Sequence, residues 1–135
     1  MIELYSTNIG VGENASIPLN NIGIAKGNTA IHSAPATIQL NKSGIYMVAC
    51  HASVELAAAG TAGIQLAKDN VLAQNAVSIA AAPATSVTAL GFETLIQVRD
   101  SNTCCCNTAP TTLQIQNIGG ISTFSNINVV VTKVC

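Results

Sequence analysis

Charged and aromatic residues are scarce in this chain of 135 residues. Asp, Glu, Lys and Arg together make up 8% of it, against about 25% in an average soluble domain, and 3% is aromatic. A folded monomer of 13.7 kDa exposes roughly 6,600 Å², so its charged side chains are widely spaced. Because charge normally keeps soluble domains apart, this composition favours association. The length predicts a single domain over residues 1–135.

Basic residues are too few and too scattered to bind nucleic acid. The formal net charge is −1, and a nucleic-acid site needs a clustered basic surface. Apolar runs of about 18 residues are also missing, and no charged start precedes an apolar stretch at the N-terminus. We therefore expect no signal peptide, no membrane span and no membrane partner. The basic residues are Lys26, Lys42, Lys68, Arg99 and Lys133.

The chain does contain many short segments in which apolar residues alternate with polar ones. The clearest is 44–56, where Tyr46 to Leu56 place only apolar residues in one phase and His51 lies in the other. Asp69-Asn70 is a two-residue hairpin signal, whereas 60–63 is interpreted as a turn. The other predicted strands are Ile2–Tyr5, Ser16–Leu19, Thr37–Leu40, Gly63–Lys68, Val71–Ala76, Thr88–Val98, Thr111–Ile118 and Ile127–Val134.

These segments predict an all-β, two-sheet antiparallel fold of eight to ten strands, either a sandwich or a jelly roll. A helix over Val71–Ala82 competes with this interpretation, because the segment contains good helix formers. It lacks a charged face, however, and hairpin and proline signals flank it. We therefore expect strands there as well.

Four blocks in a fixed order resemble a known family: 18-PLNNIG-23, 37-TIQLNKSGIYMVACHASVEL-56, 63-GIQLAKDNVLAQ-74 and 126-NINVVVTKV-134. They are similar to the trimeric jelly roll of tumour necrosis factor and the complement q-subcomponent heads, in its bacterial form. That form includes the C-terminal domains of collagen-like spore-surface proteins and short phage or prophage proteins of Firmicutes. The segment 102-NTCCCNTAPTTLQI-115 resembles the phage group especially. The resemblance implies a ten-strand jelly roll that assembles as a homotrimer.

The histidines, acidic residues and glycines form no pattern that indicates a catalytic or cofactor-binding site. His32 is expected in a loop and His51 on the outer phase of a strand. Cys50 and His51 are neighbours in that strand and so point to opposite faces. The six acids are isolated, which leaves no carboxylate pair for acid–base chemistry. We expect no catalytic residue, no metal ligand and no cofactor, and hence no enzyme.

The five cysteines fall into two groups. Cys50 lies in the apolar phase of its strand and is expected in the core. Cys104, Cys105 and Cys106 lie in a loop, and Cys135 follows the last strand. Three alternatives remain open for this cluster: free thiols, a disulfide from Cys135 to one of the other three, or a metal site shared by three chains.

The combination of features predicts a non-enzymatic structural or decoration protein on the surface of a bacteriophage virion. Its expected partners are copies of itself and other virion or surface-layer proteins. A receptor- or glycan-binding knob of a phage fibre is one alternative, which the scarcity of aromatic residues disfavours. A domain of the spore or cell surface is another, although the chain has no collagen-like segment.

Overall fold

The computed structural model describes residues 1–83, 86–99 and 111–135. This part of the chain forms strands without any helix, so it holds no helix that could cross a membrane. The expectation of an all-β chain is confirmed, and the segment for which a helix competed is a strand. The strands are β1 (Ile2–Val11), β2 (Asn21–Ala25), β3 (Ala30–Ala34), β4 (Thr37–Leu40), β5 (Gly44–Leu56), β6 (Gly60–Lys68), β7 (Val71–Ala82), β8 (Val87–Val98), β9 (Thr111–Asn117) and β10 (Ser122–Lys133).

The strands form two antiparallel sheets of five strands each. The first sheet has the order β2-β1-β10-β5-β8, and the second has the order β3-β4-β9-β6-β7. The chain therefore passes repeatedly from one sheet to the other, which is the predicted jelly roll. Strands β1 and β10 pair from Ile2 opposite Val131 to Val11 opposite Ser122. Met1 and Cys135 thus lie at the same end of the sandwich, here called the terminal end, and the opposite end is called the far end.

The core fills the space between the two sheets, and β5 illustrates how the sequence specifies it. One phase of this strand is fully inward, from Tyr46 to Leu56, and every residue in that phase is buried. The outward phase is half-buried at Met47 and exposed at His51, as the change from apolar to polar residues predicts. Burial of each large apolar side chain contributes about 1.5–3 kcal/mol. The strand is therefore the main element of the first sheet.

The side of the sandwich between β7 and β8 is closed by polar contacts. These strands are the edges of the second and first sheets, respectively. The Ser78 hydroxyl accepts a hydrogen bond from the backbone amide of Gly91 at 3.2 Å, and Asn75 Nδ2 donates to Thr94 Oγ1 at 3.0 Å. Lys68 Nζ donates to the carbonyl of Gln97 at 2.8 Å. The two edges therefore hold each other in place.

The hairpin between β6 and β7 is confirmed. Asp69 and Asn70 have φ angles of +50° and +67°, as the two central residues of a type I′ turn require. Both residue types tolerate this left-handed conformation better than most. The Asp69 carboxylate also accepts a hydrogen bond from the amide of Thr112 at 2.9 Å, which ties the turn to β9.

Two predicted elements are wrong. Ser16–Leu19 is not a strand, since only Ser16 forms a bridge, to Gln116. Pro18 lacks the backbone amide that a strand ladder needs. Ile17 and Leu19 lie in a loop but are buried, so apolar and polar residues alternate there as they do in a strand. The turn predicted at 60–63 is instead the start of β6. Gly63 is buried there against the Ile118 side chain, which leaves no room for a Cβ.

Other elements differ in extent or were not predicted. His32, expected in a loop, lies in β3, which the sequence pattern did not predict, and β2 was not predicted either. Strand β1 continues to Val11 and β7 to Ala82, and β10 begins at Ser122 rather than at Ile127.

Candidate interaction surfaces

The histidines and acids are dispersed over the described residues. No group of three or more His, Cys, Asp or Glu side chains there could hold a metal ion. His32 Nε2 lies 3.1 Å from the carbonyl of Pro35, within the same hairpin region. His51 lies exposed on the outer face of β5. These residues therefore offer structural contacts rather than a reactive arrangement.

Cys50 lies buried in the core, as expected. Its side chain is fully buried, and burial raises the pKa of the thiol to about 12. The adjacent His51 is exposed on the opposite face of the strand, so it cannot act as a base toward Cys50. A thiol held in its protonated form is a poor nucleophile and a poor metal ligand.

Cys135 lies at the terminal end, beside the start of β5. Its carbonyl accepts a hydrogen bond from the Ile45 amide at 3.3 Å, and the Val134 amide donates to the Ile45 carbonyl at 2.8 Å. The Cys135 side chain is exposed, and no disulfide joins it to another described residue. Cys104, Cys105 and Cys106 lie outside the described residues, so the three alternatives for this cluster and Cys135 stay open.

The outer face of the first sheet is poor in charge, and its acids outnumber its bases. Strands β1, β5 and β8 contain no Lys or Arg, whereas Glu3, Glu55 and Glu93 lie in their outward phases. His51 is paired with Gly91 across β5 and β8. A Cβ at Gly91 would come within 2.9 Å of the His51 ring, so the glycine lets the imidazole lie flat on the sheet.

Two strips of exposed apolar side chains flank this face. The side strip covers the closed side of the sandwich, from β7 to β8, where Val87, Leu95 and Ile79 are at least 60% exposed. The edge strip lies at the opposite edge of the first sheet, on β1 and β2, and every residue of β2 is exposed. The side strip comprises Val77, Ile79, Val87 and Leu95, and the edge strip comprises Met1, Tyr5, Ile22 and Ile24.

A groove at the far end of the sandwich has a volume of about 590 Å³ and is open to solvent. The chain segments after β1, after β5 and between β9 and β10 form its walls. Glu13 is the single ionisable residue among those that line it. We call this site the end groove. Its lining residues are Glu13, Asn14, Leu56, Ala57, Ala58, Ala59, Gly60, Thr61, Ile118, Gly119, Gly120 and Ile121.

Asn117 organises the end groove, and the sequence pattern did not single it out. Its side chain is fully buried. Nδ2 donates toward the carbonyls of Val11, Gly12 and Gly120 at 3.3, 3.1 and 3.0 Å, and Oδ1 accepts from the Gly119 amide at 3.1 Å. One amide thereby joins two walls of the groove. The only signal in the sequence is an asparagine in an inward phase of a strand, directly before Ile-Gly-Gly.

Comparison with models of known protein families gives no match. Comparison with curated proteins gives none either.

Solved structures share the fold over nearly the whole chain. The globular domain of zebrafish complement 1qA protein has a TM-score of 0.66 at 10% identity, covering 96% of this chain and 94% of that one. Eiger TNF from S. frugiperda has a TM-score of 0.71 at 11% identity, covering 99% and 92%. PRD1 vertex protein P5 has a TM-score of 0.55 at 17% identity, covering 99% and 96%. The described chain therefore has the jelly-roll fold found in tumour necrosis factor and complement 1q domains and in a vertex protein.

Proposed function

We propose that this chain is a non-enzymatic structural protein that decorates the surface of a bacteriophage virion as a compact homotrimer. The observation that carries the particle role is the likeness to PRD1 vertex protein P5, which extends over 99% of this chain and 96% of that one. The phage-like cysteine segment of the sequence supports the same role. Among the described residues no group of three or more His, Cys, Asp or Glu could hold a metal ion, which fits a structural protein.

The two apolar strips support self-association in a ring. The side strip lies along the β7–β8 side of the sandwich and the edge strip along the β2 edge of the first sheet, so the side strip of one copy can contact the edge strip of the next. Such a head-to-tail contact closes into a ring when the rotation allows it. The resemblance to trimeric jelly rolls supports three copies.

The magnitudes indicate that both strips must be covered. Each of the eight side chains is already partly buried in the folded chain. Burying its remaining exposed surface on association contributes about 1 to 2 kcal/mol per side chain. The total per contact is on the order of 10 kcal/mol. Association costs about 4–15 kcal/mol in lost translational and rotational freedom. A contact that covered one strip alone would therefore be weak.

Sedimentation velocity tests the assembly. At micromolar concentration we expect a species of about 41 kDa, three times the chain mass of 13.7 kDa. Leu95→Glu places a charge in the side strip and is expected to give monomers. Ile121→Glu is the matched control, because Ile121 is similarly exposed, at 65% against 61%, but lies outside both strips. A monomeric wild-type protein, or dissociation caused only by Ile121→Glu, would contradict the proposed trimer.

Mass spectrometry and immunogold labelling of purified virions test the particle role. The protein is expected at stoichiometric levels on virions of the phage that encodes it, with the label on the outside of the particle. If the protein is absent from those virions, the particle role is wrong even when the trimer is correct.

A further inference from the structure

The end groove has the dimensions of a binding site, and the proposed ring does not use it. Its volume of about 590 Å³ lies within the roughly 300–1,000 Å³ typical of ligand sites. It shares no residue with the side strip or the edge strip. It also lies at the far end, away from Met1 and Cys135. The proposed ring contact therefore does not require any residue of the groove.

Backbone hydrogen bonds fix the walls of the groove. The Asn14 amide donates to the Asn117 carbonyl at 2.8 Å, the Gly120 amide to Thr61 at 3.1 Å, and the Ala57 amide to Ile121 at 3.3 Å. The buried Asn117 side chain joins the wall after β1, at Gly12, to the wall between β9 and β10, at Gly120. A site that is ordered before binding loses little conformational freedom when it is occupied.

The lining is mixed, with aliphatic side chains, the polar side chains of Asn14 and Thr61, and one negative charge. Ile118 and Ile121 supply aliphatic surface, and Ala57–Ala59 leave space because their side chains are small. The Glu13 carboxylate has no cationic neighbour among the lining residues. No aromatic ring is present there to stack on a sugar or to surround a quaternary ammonium group. The chemistry that complements this lining is an aliphatic surface carrying one positive charge.

We propose that the end groove binds an extended segment of another protein, in which a Lys or Arg is flanked by aliphatic residues. The aliphatic side chains pack against Ile118 and Ile121, and the cationic group pairs with Glu13. A protein segment fits better than a small molecule because the groove is open to solvent, whereas small-molecule sites enclose most of their ligand. An extended segment needs only one side covered.

NMR titration of the ¹⁵N-labelled full chain tests the proposal. The probes are the blocked peptide Ala-Leu-Lys-Val-Ala and two counterparts in which norleucine or glutamate replaces the lysine. We expect the lysine peptide to shift the amide signals of residues 11–14, 56–61 and 118–121. The norleucine peptide is expected to bind about two- to fivefold more weakly, the range of an exposed ion pair. The glutamate peptide is expected to bind most weakly.

Two Glu→Gln variants, one inside the groove and one outside it, test whether the Glu13 charge contributes to peptide affinity. Glu13→Gln is expected to reduce the affinity for the lysine peptide to that of the norleucine peptide. Glu93→Gln, outside the groove on the face of β8, is expected to leave it unchanged, with the oligomeric state checked for each protein. If no groove amide shifts at millimolar peptide, the groove is not a peptide site. If the lysine and norleucine peptides bind equally and Glu13→Gln has no effect, the cationic segment is the wrong occupant.

Discussion

Replacing Asn117 with alanine is expected to destabilise the fold more than any exposed asparagine substitution. The buried amide joins the segment after β1 to the turn between β9 and β10. Alanine has no polar side-chain atom and leaves a cavity between these segments. The change therefore removes a polar network in the core without altering either sheet ladder directly.

The size of the effect follows from the hydrogen bonds. Nδ2 has two hydrogens for three carbonyls, so one hydrogen is shared, and Oδ1 accepts one more bond from Gly119. Three effective bonds contribute about 0.5–1.5 kcal/mol each. The Gly120 carbonyl keeps the Ser122 hydroxyl at 2.7 Å as a second donor, which limits the penalty there. The buried Gly119 amide loses its partner, and we expect a total loss of about 3 kcal/mol per chain.

Urea denaturation at fixed protein concentration measures this loss. With an m value of about 2 kcal/mol/M, the midpoint of the Asn117→Ala protein is expected about 1.5 M below that of the wild type. The concentration is held constant because assembly adds to apparent stability. Asn20→Ala, at an exposed side chain, is the control and is expected to change stability by less than about 0.5 kcal/mol. A loss below about 1 kcal/mol for Asn117→Ala would refute the network argument.

Two further predictions concern the cysteines. Cys50 has its pKa raised by burial from 9.0 to about 12, so unfolding releases its proton at alkaline pH and stability falls as pH rises. Between pH 8 and pH 10 we expect a loss of about 1.4 kcal/mol per chain, absent in Cys50→Ala; equal slopes for both proteins would contradict this. The range stops at pH 10 because burial also raises the pKa of Tyr46. For Cys135, the disulfide alternative predicts that non-reducing peptide mapping finds a bond to one of Cys104–Cys106, abolished by Cys135→Ser. Alkylation of every cysteine in unfolded, unreduced protein would exclude that bond.

Local signals were sufficient where one segment contains all the information. The alternation over β5 predicted which residues face the core, because a half-buried strand repeats every two residues. Asp69-Asn70 predicted its hairpin because both residues accept positive φ. The strand prediction for Ser16–Leu19 was wrong because alternate residues of a loop can also be buried, which gives the same pattern of apolar and polar residues. Only the missing amide of Pro18 distinguishes it from a strand.

The end groove could not be predicted from local pattern. Its walls come from Glu13, Leu56 and Ile118, which are distant in sequence and become neighbours only through the order of the strands. The role of Asn117 depends on the same arrangement, because its partners at Val11 and Gly12 are more than one hundred residues away. Composition did indicate an associating surface, but the position of the two strips required the sheet order.

The polar closure between β7 and β8 has a consequence for how copies can meet. An open sheet edge invites strand addition from another molecule and, with it, growth into fibres. In this protein the Gly91 amide is capped by Ser78, and the Gln97 carbonyl is capped by Lys68. Those backbone groups are not free to extend the sheet into a neighbour. At these two positions, contact through the adjoining side strip therefore relies on side-chain packing rather than on strand addition.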